Sequence, residues 1–223
     1  WQALVINVLW VMDSNLNSAF LYGESIFTTC KVVSGEIHDL DGHLEKLYDS
    51  SQDYFFASVG RDIQRKINED LKLVGLTGAV RISLFKDVNG KLSHHISQRE
   101  LETFEKKPVT LRLVKRVQAE ELDDFKIGSY GKEFYLKRLF NNEQIDDILF
   151  YGENKVFETS VANIFFKKDD LLITPRSGIY KGLTREKIIT ENRVEQRDVF
   201  VDELDSFDEI FICSSLYEKV IVK

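Results

Sequence analysis

Two hairpin patterns in the second half of the chain constrain its fold most. Four short runs of β-forming residues lie there in pairs, and they cover 148–151, 155–158, 163–168 and 171–174. Gly152-Glu153-Asn154 separates the first pair and Asp169-Asp170 the second. Runs of this kind around a few turn-forming residues are typical of antiparallel hairpins. The second half is therefore expected to be rich in strands.

The first half mixes strands with two amphipathic helices. Ser25 to Val33 and Gly78 to Phe85 are rich in β-forming residues, and Asp87 to Gly90 forms a turn after the second of them. We expect one helix to begin with Asp41 as its N-cap and another to cover 61–74, since apolar residues recur at helical spacing in both.

A polar stretch without periodicity, Glu100 to Pro108, divides the chain. Strands continue after it, and helices are expected from Gly131 to Asn141 and from Thr184. The predicted class is α/β (α+β) with two lobes, an amino-terminal domain at 1–105 and a carboxy-terminal domain at 106–223. Ligands often bind where two such domains meet.

Composition excludes several classes of protein. The chain has 37 acidic and 30 basic residues, a net charge of −7, whereas a nucleic-acid partner requires a basic surface. No apolar run reaches the roughly 18 residues that span a membrane, and Ala3 to Val11 is interpreted as a strand rather than a signal peptide. Cys30 and Cys213 lie in apolar settings, as buried thiols of a reducing compartment do, so a cytoplasmic location is expected.

Four short motifs contain residue types that can carry chemistry. Lys126 lies in an apolar segment, where burial would lower the pKa of its amine, although a surface lysine at a helix start has the same pattern. Glu158 follows an apolar run and is either a site carboxylate or a surface residue. Gly182 to Arg185 opens a helix as phosphate sites do, and as ordinary N-caps also do. Cys213-Ser214-Ser215 is either the edge of a pocket or a turn.

Other chemistries lack support in the sequence. The four histidines have no metal-ligand spacing, so no metal site is expected. The chain has no Gly-x-Ser-x-Gly nucleophile motif, no Gly-x-Gly-x-x-Gly and no Walker A motif.

The order of the motifs is more specific than any one of them. They are Tyr22 to Thr29, His43 to Leu47, Lys126, Glu158 to Phe165 followed by Thr174-Pro175, and Lys181 to Arg185. In this order, from about Leu21 to Val222, the chain resembles the fold-type IV pyridoxal-phosphate enzymes. That family includes branched-chain and D-amino-acid aminotransferases and 4-amino-4-deoxychorismate lyases.

The resemblance implies a homodimer that binds pyridoxal 5′-phosphate and a small amino substrate. It implies that Lys126 holds the cofactor as a Schiff base and moves protons, and that Glu158 pairs with the ring nitrogen. Tyr130 is expected to hydrogen-bond the phenolic oxygen. Four residues are expected to bind the phosphate, and they are Lys46, Leu183, Thr184 and Ser215.

Three positions depart from the family pattern. Lys46 stands where the family has an arginine, and lysine keeps the charge but loses the bidentate fork. Ser25 replaces the second glycine of the first motif. The segment from Arg185 to Arg197 is several residues shorter than the family's helix and loop.

The resemblance favours one reaction within the family. Phe27-Thr28-Thr29 and Cys213-Ser214-Ser215-Leu216 look more like the lyases, which release pyruvate and 4-aminobenzoate, a step of folate biosynthesis. Thr28 and Arg81 are assigned to the substrate. One alternative is a class IV aminotransferase acting on branched-chain or D-amino acids. A remoter alternative is a degenerate member that acts as an interaction module.

Overall fold

The computed structural model describes residues 16–75, 77–101, 103, 105–116, 121–140 and 144–223. The helices are α1 (Ser18–Tyr22), α2 (Leu40–Tyr54), α3 (Arg61–Leu71), α4 (Gly131–Leu139) and α5 (Leu183–Glu191). The strands are β1 (Ser25–Val33), β2 (Glu36–Ile37), β3 (Gly78–Lys86), β4 (Leu92–Glu100), β5 (Leu111–Lys115), β6 (Asp147–Gly152), β7 (Lys155–Thr159), β8 (Asn163–Lys168), β9 (Leu171–Pro175), β10 (Val194–Arg197), β11 (Val199–Phe200), β12 (Glu209–Cys213) and β13 (Val220–Ile221). The strand expected at 3–11 lies outside the described residues.

The first sheet is antiparallel and has the order β2-β1-β3-β4. Because side chains alternate along a strand, Ile26, Cys30 and Val80 lie in the core that α2 and α3 cover. Thr29 pairs with Arg81 in the register of β1 and β3, on the opposite face. That face is polar, and it forms a wall of the site described below.

Helix α2 begins two residues earlier than the sequence predicts. Asp39, not Asp41, is the N-cap, and its φ of 53° is left-handed. Asp41 lies in the first turn instead, where a carboxylate interacts favourably with the helix dipole. The second helix, α3, ends at Leu71 and does not reach Val74.

The other two sheets come from the second half of the chain. Their orders are β10-β9-β8-β12-β13 and β11-β7-β6-β5. Apolar side chains from both sheets share one core, which includes Leu149, Val156, Ile164, Phe166 and Ile212. The parallel pairs β9–β10 and β5–β6 could not be recognised from hydrophobic pattern alone.

Both predicted hairpins are confirmed. Glu153 and Asn154 connect β6 to β7 with φ values of 49° and 66°, as a two-residue type I′ turn requires. Asp169 has a φ of 51° in the turn between β8 and β9. These hairpins set the register of β7 and β8, which carry Glu158 and Asn163.

The first sheet uses residues 25–100 and the other two use residues 111–221. The domain boundary near residue 105 stays a prediction. The short segment after Arg185 forms the rest of α5 and then β10, with Asn192 and Arg193 between them. In the part of the chain that the structure describes, no helix is both long and apolar enough to cross a membrane.

Candidate active site

Lys126 lies on an extended segment that pairs with the start of β1. The Phe27 N–H donates to the Lys126 carbonyl at 2.9 Å, and the Gly128 N–H donates to the Ser25 carbonyl at 2.7 Å. A Cβ on Gly128 would collide with the Ser25 hydroxyl, so any other residue here would require Ser25 to move. The pairing fixes the backbone of Lys126 against the first sheet.

The amine of Lys126 lies beside two aromatic rings. Its Nζ lies 5.1 Å from the ring centroid of Phe27 and 5.8 Å from that of Tyr180. The pKa of Lys126 is lowered to about 8, mainly by burial, which the charge of Glu158 opposes and the charge of Arg81 reinforces. A lysine with such a pKa has a useful fraction of neutral amine near pH 7, as a nucleophile or proton acceptor needs.

Glu158 is held from two sides at the end of β7. The Tyr180 N–H donates to Oε1 at 3.1 Å, and Asn163 Nδ2 donates to Oε2 at 3.1 Å. Burial raises the pKa of Glu158 to about 8, although the Tyr180 N–H and the charge of Arg116 oppose this. A cation placed beside the carboxylate would lower that pKa again.

Two cavities meet at Lys126. Six residues predicted for the site line the inner cavity together with Lys126, and they are Thr28, Tyr130, Glu158, Leu183, Thr184 and Ser215. Arg81 lines the outer cavity, together with Thr29, Ser97 and Arg99. Lys126, Tyr130 and Ser215 line both cavities, so the amine is accessible from either one.

The start of α5 forms one end of the inner cavity. Gly182 is the N-cap of α5, and Leu183 and Thr184 follow it in the cavity wall. The first N–H groups of a helix have no partner within the helix and favour an anion. Arg185 is fully buried and donates to the Pro175 carbonyl and to Gln196, which ties α5 to β9 and β10.

Lys46 lines neither cavity. Its Nζ donates to the Lys181 carbonyl and lies 5.0 Å from the ring centroid of Tyr180. Its expected contact with a phosphate stays a prediction.

Three further site residues have distinct surroundings. Thr28 Oγ1 is hydrogen-bonded to His43 Nδ1 at 2.6 Å, and burial lowers the pKa of His43 to about 4, so this histidine is neutral at pH 7. The guanidinium of Arg81 lies 3.5 Å from the ring centroid of Phe27. Burial and the nearby Glu158 raise the pKa of Tyr130, which keeps its hydroxyl protonated as a donor.

The sequence did not single out Tyr180 or assign a role to His43. Tyr180 lies in a loop with no periodicity, and it supports Glu158 through its backbone N–H, which any residue except proline could supply. His43 could have been found, because it stands on the predicted core face of α2 and a buried histidine needs a partner.

Comparison with known proteins agrees with this geometry. A family model described as amino-transferase class IV matches residues 25–223. The aminodeoxychorismate lyase of Bacillus subtilis is 25% identical over 204 residues, which is 79% of this chain and 67% of the relative. A probable branched-chain-amino-acid aminotransferase of Thermotoga maritima is 43% identical over 74 residues, or 30% of this chain and 27% of the relative.

The fold is also found among solved structures. A hypothetical aminotransferase from Mycobacterium tuberculosis, in a form bound to pyridoxal phosphate, superposes with a TM-score of 0.81. The match covers 99% of this chain and 86% of that chain at 16% identity. This likeness agrees with the predicted two-lobed α/β fold of the fold-type IV enzymes.

Proposed function

This chain belongs to the class IV aminotransferase family and is a pyridoxal-phosphate-dependent enzyme, and we propose that it converts 4-amino-4-deoxychorismate to 4-aminobenzoate and pyruvate. The lining of the outer cavity carries this proposal. Arg81 and Arg99 line it, and the described lining includes no aspartate or glutamate. Such a cavity suits a substrate with two carboxylates. The lyase from Bacillus subtilis, which aligns with most of this chain, supports the same reaction.

The residues of the inner cavity fit the cofactor. One cavity is lined by a buried amine, a buried carboxylate and the start of a helix. The amine can react with the aldehyde of the cofactor, the carboxylate can pair with its pyridine nitrogen, and the helix start can bind its phosphate. Lys126 would hold the cofactor covalently and Glu158 would pair with its ring nitrogen. Tyr130 would donate to the phenolic oxygen, while Leu183, Thr184 and Ser215 would bind the phosphate.

The bound cofactor supplies an electron sink for the carbon that bears the substrate amine. Glu158 would keep a proton on the ring nitrogen, because a nearby anion favours the protonated ring. Tyr180 and Asn163 donate to Glu158 and hold its carboxylate in place for that task.

Lys126 would act as the acid–base group. Its Nζ accepts the proton from the carbon that carries the amine, and the electrons of that C–H bond form a ring double bond. As that double bond forms, the C–O bond that joins the neighbouring carbon to the pyruvyl group breaks, and its electron pair leaves with the oxygen. Lys126 returns the proton to this oxygen, so pyruvate leaves as its enol and the ring becomes aromatic. Lys126 lines both cavities and is therefore accessible from the cofactor side and from the substrate side.

An aminotransferase acting on branched-chain or D-amino acids is the second candidate. Phe27, Phe134, Val161 and Leu216 add apolar surface to the outer cavity, which an aliphatic side chain would fill. The 43% identity to the Thermotoga aminotransferase over 74 residues points the same way. The degenerate member is not retained, because the chain is an enzyme whose amine and carboxylate line one cavity.

One pair of assays separates the two candidates. The protein loaded with cofactor is incubated with 4-amino-4-deoxychorismate, and 4-aminobenzoate and pyruvate are measured. In parallel, L-leucine and D-alanine are added and the absorbance of the cofactor is followed. We expect equal amounts of 4-aminobenzoate and pyruvate. Conversion of the cofactor to its amine form without 4-aminobenzoate would replace the lyase with the aminotransferase.

We also propose a cytoplasmic homodimer that acts in folate biosynthesis. Cys30 and Cys213 are free and buried, which suits a reducing compartment. Phe20, Tyr22, Phe134 and Tyr135 are each more than half exposed, as apolar side chains at a subunit interface are in an isolated chain.

A further inference from the structure

The segment Tyr180–Gly182 connects three parts of the inner cavity. The Tyr180 N–H donates to Glu158 Oε1 at 3.1 Å. Asn163 Nδ2 donates to the Tyr180 carbonyl at 2.6 Å, and the Gly182 N–H donates to Asn163 Oδ1 at 3.2 Å. Gly182 is also the N-cap of α5. A shift of this segment would therefore move the support of Glu158 and the start of α5 together.

Lys46 holds the same segment from the other side. It stands on α2, which packs on the first sheet, and its ammonium donates to the Lys181 carbonyl between Tyr180 and Gly182. The ammonium also lies 5.0 Å from the ring centroid of Tyr180, within the range of a cation–π contact. Asn163 and Glu158, by contrast, belong to strands of the second half of the chain.

We propose that Lys46 is a positioning residue, which acts on the cofactor site through Tyr180–Gly182 rather than by binding the phosphate. It joins α2 to the segment that supports Glu158 and caps α5. The lysine lines neither cavity, and its charge is already directed at a carbonyl oxygen and an aromatic face. A charge-assisted hydrogen bond of this kind is among the stronger polar contacts in a protein.

The test begins with the apoprotein of Lys46→Met, which keeps the length of the side chain and removes its charge. Amide hydrogen exchange, followed by NMR, reports on the N–H groups of Tyr180 and Gly182. We expect both to exchange about tenfold faster or more than in the wild type. Lys72→Met is the control, because Lys72 is an exposed lysine at the end of α3. If the Met variant does not fold, Lys46→Gln replaces it.

A second readout compares pyridoxal phosphate with pyridoxal, which has no phosphate. A positioning role predicts that Lys46→Met weakens the binding of both ligands, because the segment also supports Glu158, which would pair with the ring that both ligands contain. A direct phosphate contact predicts loss for pyridoxal phosphate alone. That result, or unchanged exchange at Tyr180 and Gly182, would overturn the proposal.

The inference rests on the proposed function only in the identity of the cofactor. The exchange experiment uses the apoprotein, and the binding experiment involves no substrate. Loss of the lyase proposal would therefore leave both readouts intact.

Discussion

Asn163 and Glu158 are joined by a hydrogen bond of 3.1 Å from the amide of one to the carboxylate of the other. The same amide group donates to the Tyr180 carbonyl at 2.6 Å, and the Asn163 Oδ1 accepts from Gly182. An asparagine has the two donors and the acceptor that this arrangement needs, whereas aspartate has no donor when ionised. The residue therefore decides where the carboxylate and the start of α5 lie.

Asn163→Ala should destabilise the protein by roughly 2–4 kcal/mol, because it leaves several buried polar groups without their partner. Urea unfolding of the apoprotein measures this. Thr190→Ala, which removes an exposed hydroxyl on α5, is the control and should cost less than about 0.5 kcal/mol. A loss of similar size in both variants would mean that water replaces the Asn163 contacts.

Lys126 should carry the cofactor. Borohydride reduction of the loaded protein fixes the bond, and peptide mapping locates the phosphopyridoxyl group. We expect it on Lys126, whose neutral amine is favoured by burial. Lys46 is the other lysine to examine, because it is half-buried and its amine contacts the Lys181 carbonyl next to the inner cavity. A label on Lys46, or no label, would contradict the assignment.

The sequence predicted local features of this site better than it predicted contacts between distant parts of the chain. The hairpins around Asn154 and Asp169 follow from turn chemistry, which acts over a few residues. The positions of Lys126 and Glu158 followed from resemblance in the order of motifs. Lys126 and Glu158 line one cavity because residues 126–128 pair with β1. This pairing is too short to produce a periodic pattern in the sequence.

The role of Tyr180–Gly182 could not be predicted for a related reason. Tyr180 supports Glu158 through its backbone N–H, and backbone groups are the same at every position except proline. The predicted start of α2 was wrong because Asp39, the residue before Leu40, adopts a left-handed conformation. An aspartate permits this conformation but does not require it. Contacts between residues distant in the sequence, such as that of Tyr180 with Glu158, could therefore be identified only from the structure.

Glu158→Gln should retain the cofactor but lose most of its activity. The amide has nearly the same volume, yet it cannot balance the charge of a protonated ring nitrogen. Removal of such an electrostatic partner commonly costs on the order of 10²-fold in rate or more. The measurement is kcat with the cofactor at saturation. Turnover near that of the wild type would show that Glu158 has a structural role only.

The stability of the apoprotein should depend on pH through Glu158. Its folded-state pKa is raised from 4.5 to about 8, so the folded chain binds more protons than the unfolded chain between these values. Its contribution to stability is therefore present below pH 4.5 and is lost as the pH rises to about 8. In urea unfolding, the difference between the wild type and Glu158→Gln should change by a few kcal/mol over this range. A difference that does not vary with pH would contradict the shift.

Lys126 should make the stability of the apoprotein change with pH in the opposite direction, and at higher pH. Its folded-state pKa is lowered from 10.5 to about 8, so the folded chain binds fewer protons and becomes more stable as the pH rises between these values. Lys126→Met should remove this rise. Its folded apoprotein should also be more stable than the wild type at pH 7, because it no longer buries a charge. A stability difference between the wild type and the Met variant that stays constant between pH 8 and 10.5 would contradict the lowered pKa of Lys126.

Arg81 and Arg99 should select substrates with two carboxylates. Both line the outer cavity, and Ala79 rather than Arg81 is the strand partner of Arg99, so the two arginines stand at different heights on the same sheet face. Two separated cations suit a ligand whose carboxylates are apart. Isophthalate and benzoate, which differ by one carboxylate, are therefore the probes, and their binding is followed through the absorbance of the cofactor. The wild type should bind isophthalate more tightly.

Arg99→Gln should remove that preference by weakening isophthalate about tenfold to a hundredfold while it leaves benzoate nearly unchanged, since a hydrogen-bonded ion pair contributes roughly this much. Arg61→Gln, at the exposed start of α3, is the matched control. Arg81→Gln should weaken both ligands. The charge of Arg81 acts on Lys126, and its guanidinium lies against the ring of Phe27, so this arginine is next to the amine where either ligand would bind. Equal affinity of the wild type for the two probes would mean that the cavity recognises one carboxylate only. The substrate would then be an amino acid with a single carboxylate, and aminotransfer would replace the lyase reaction as the proposed function.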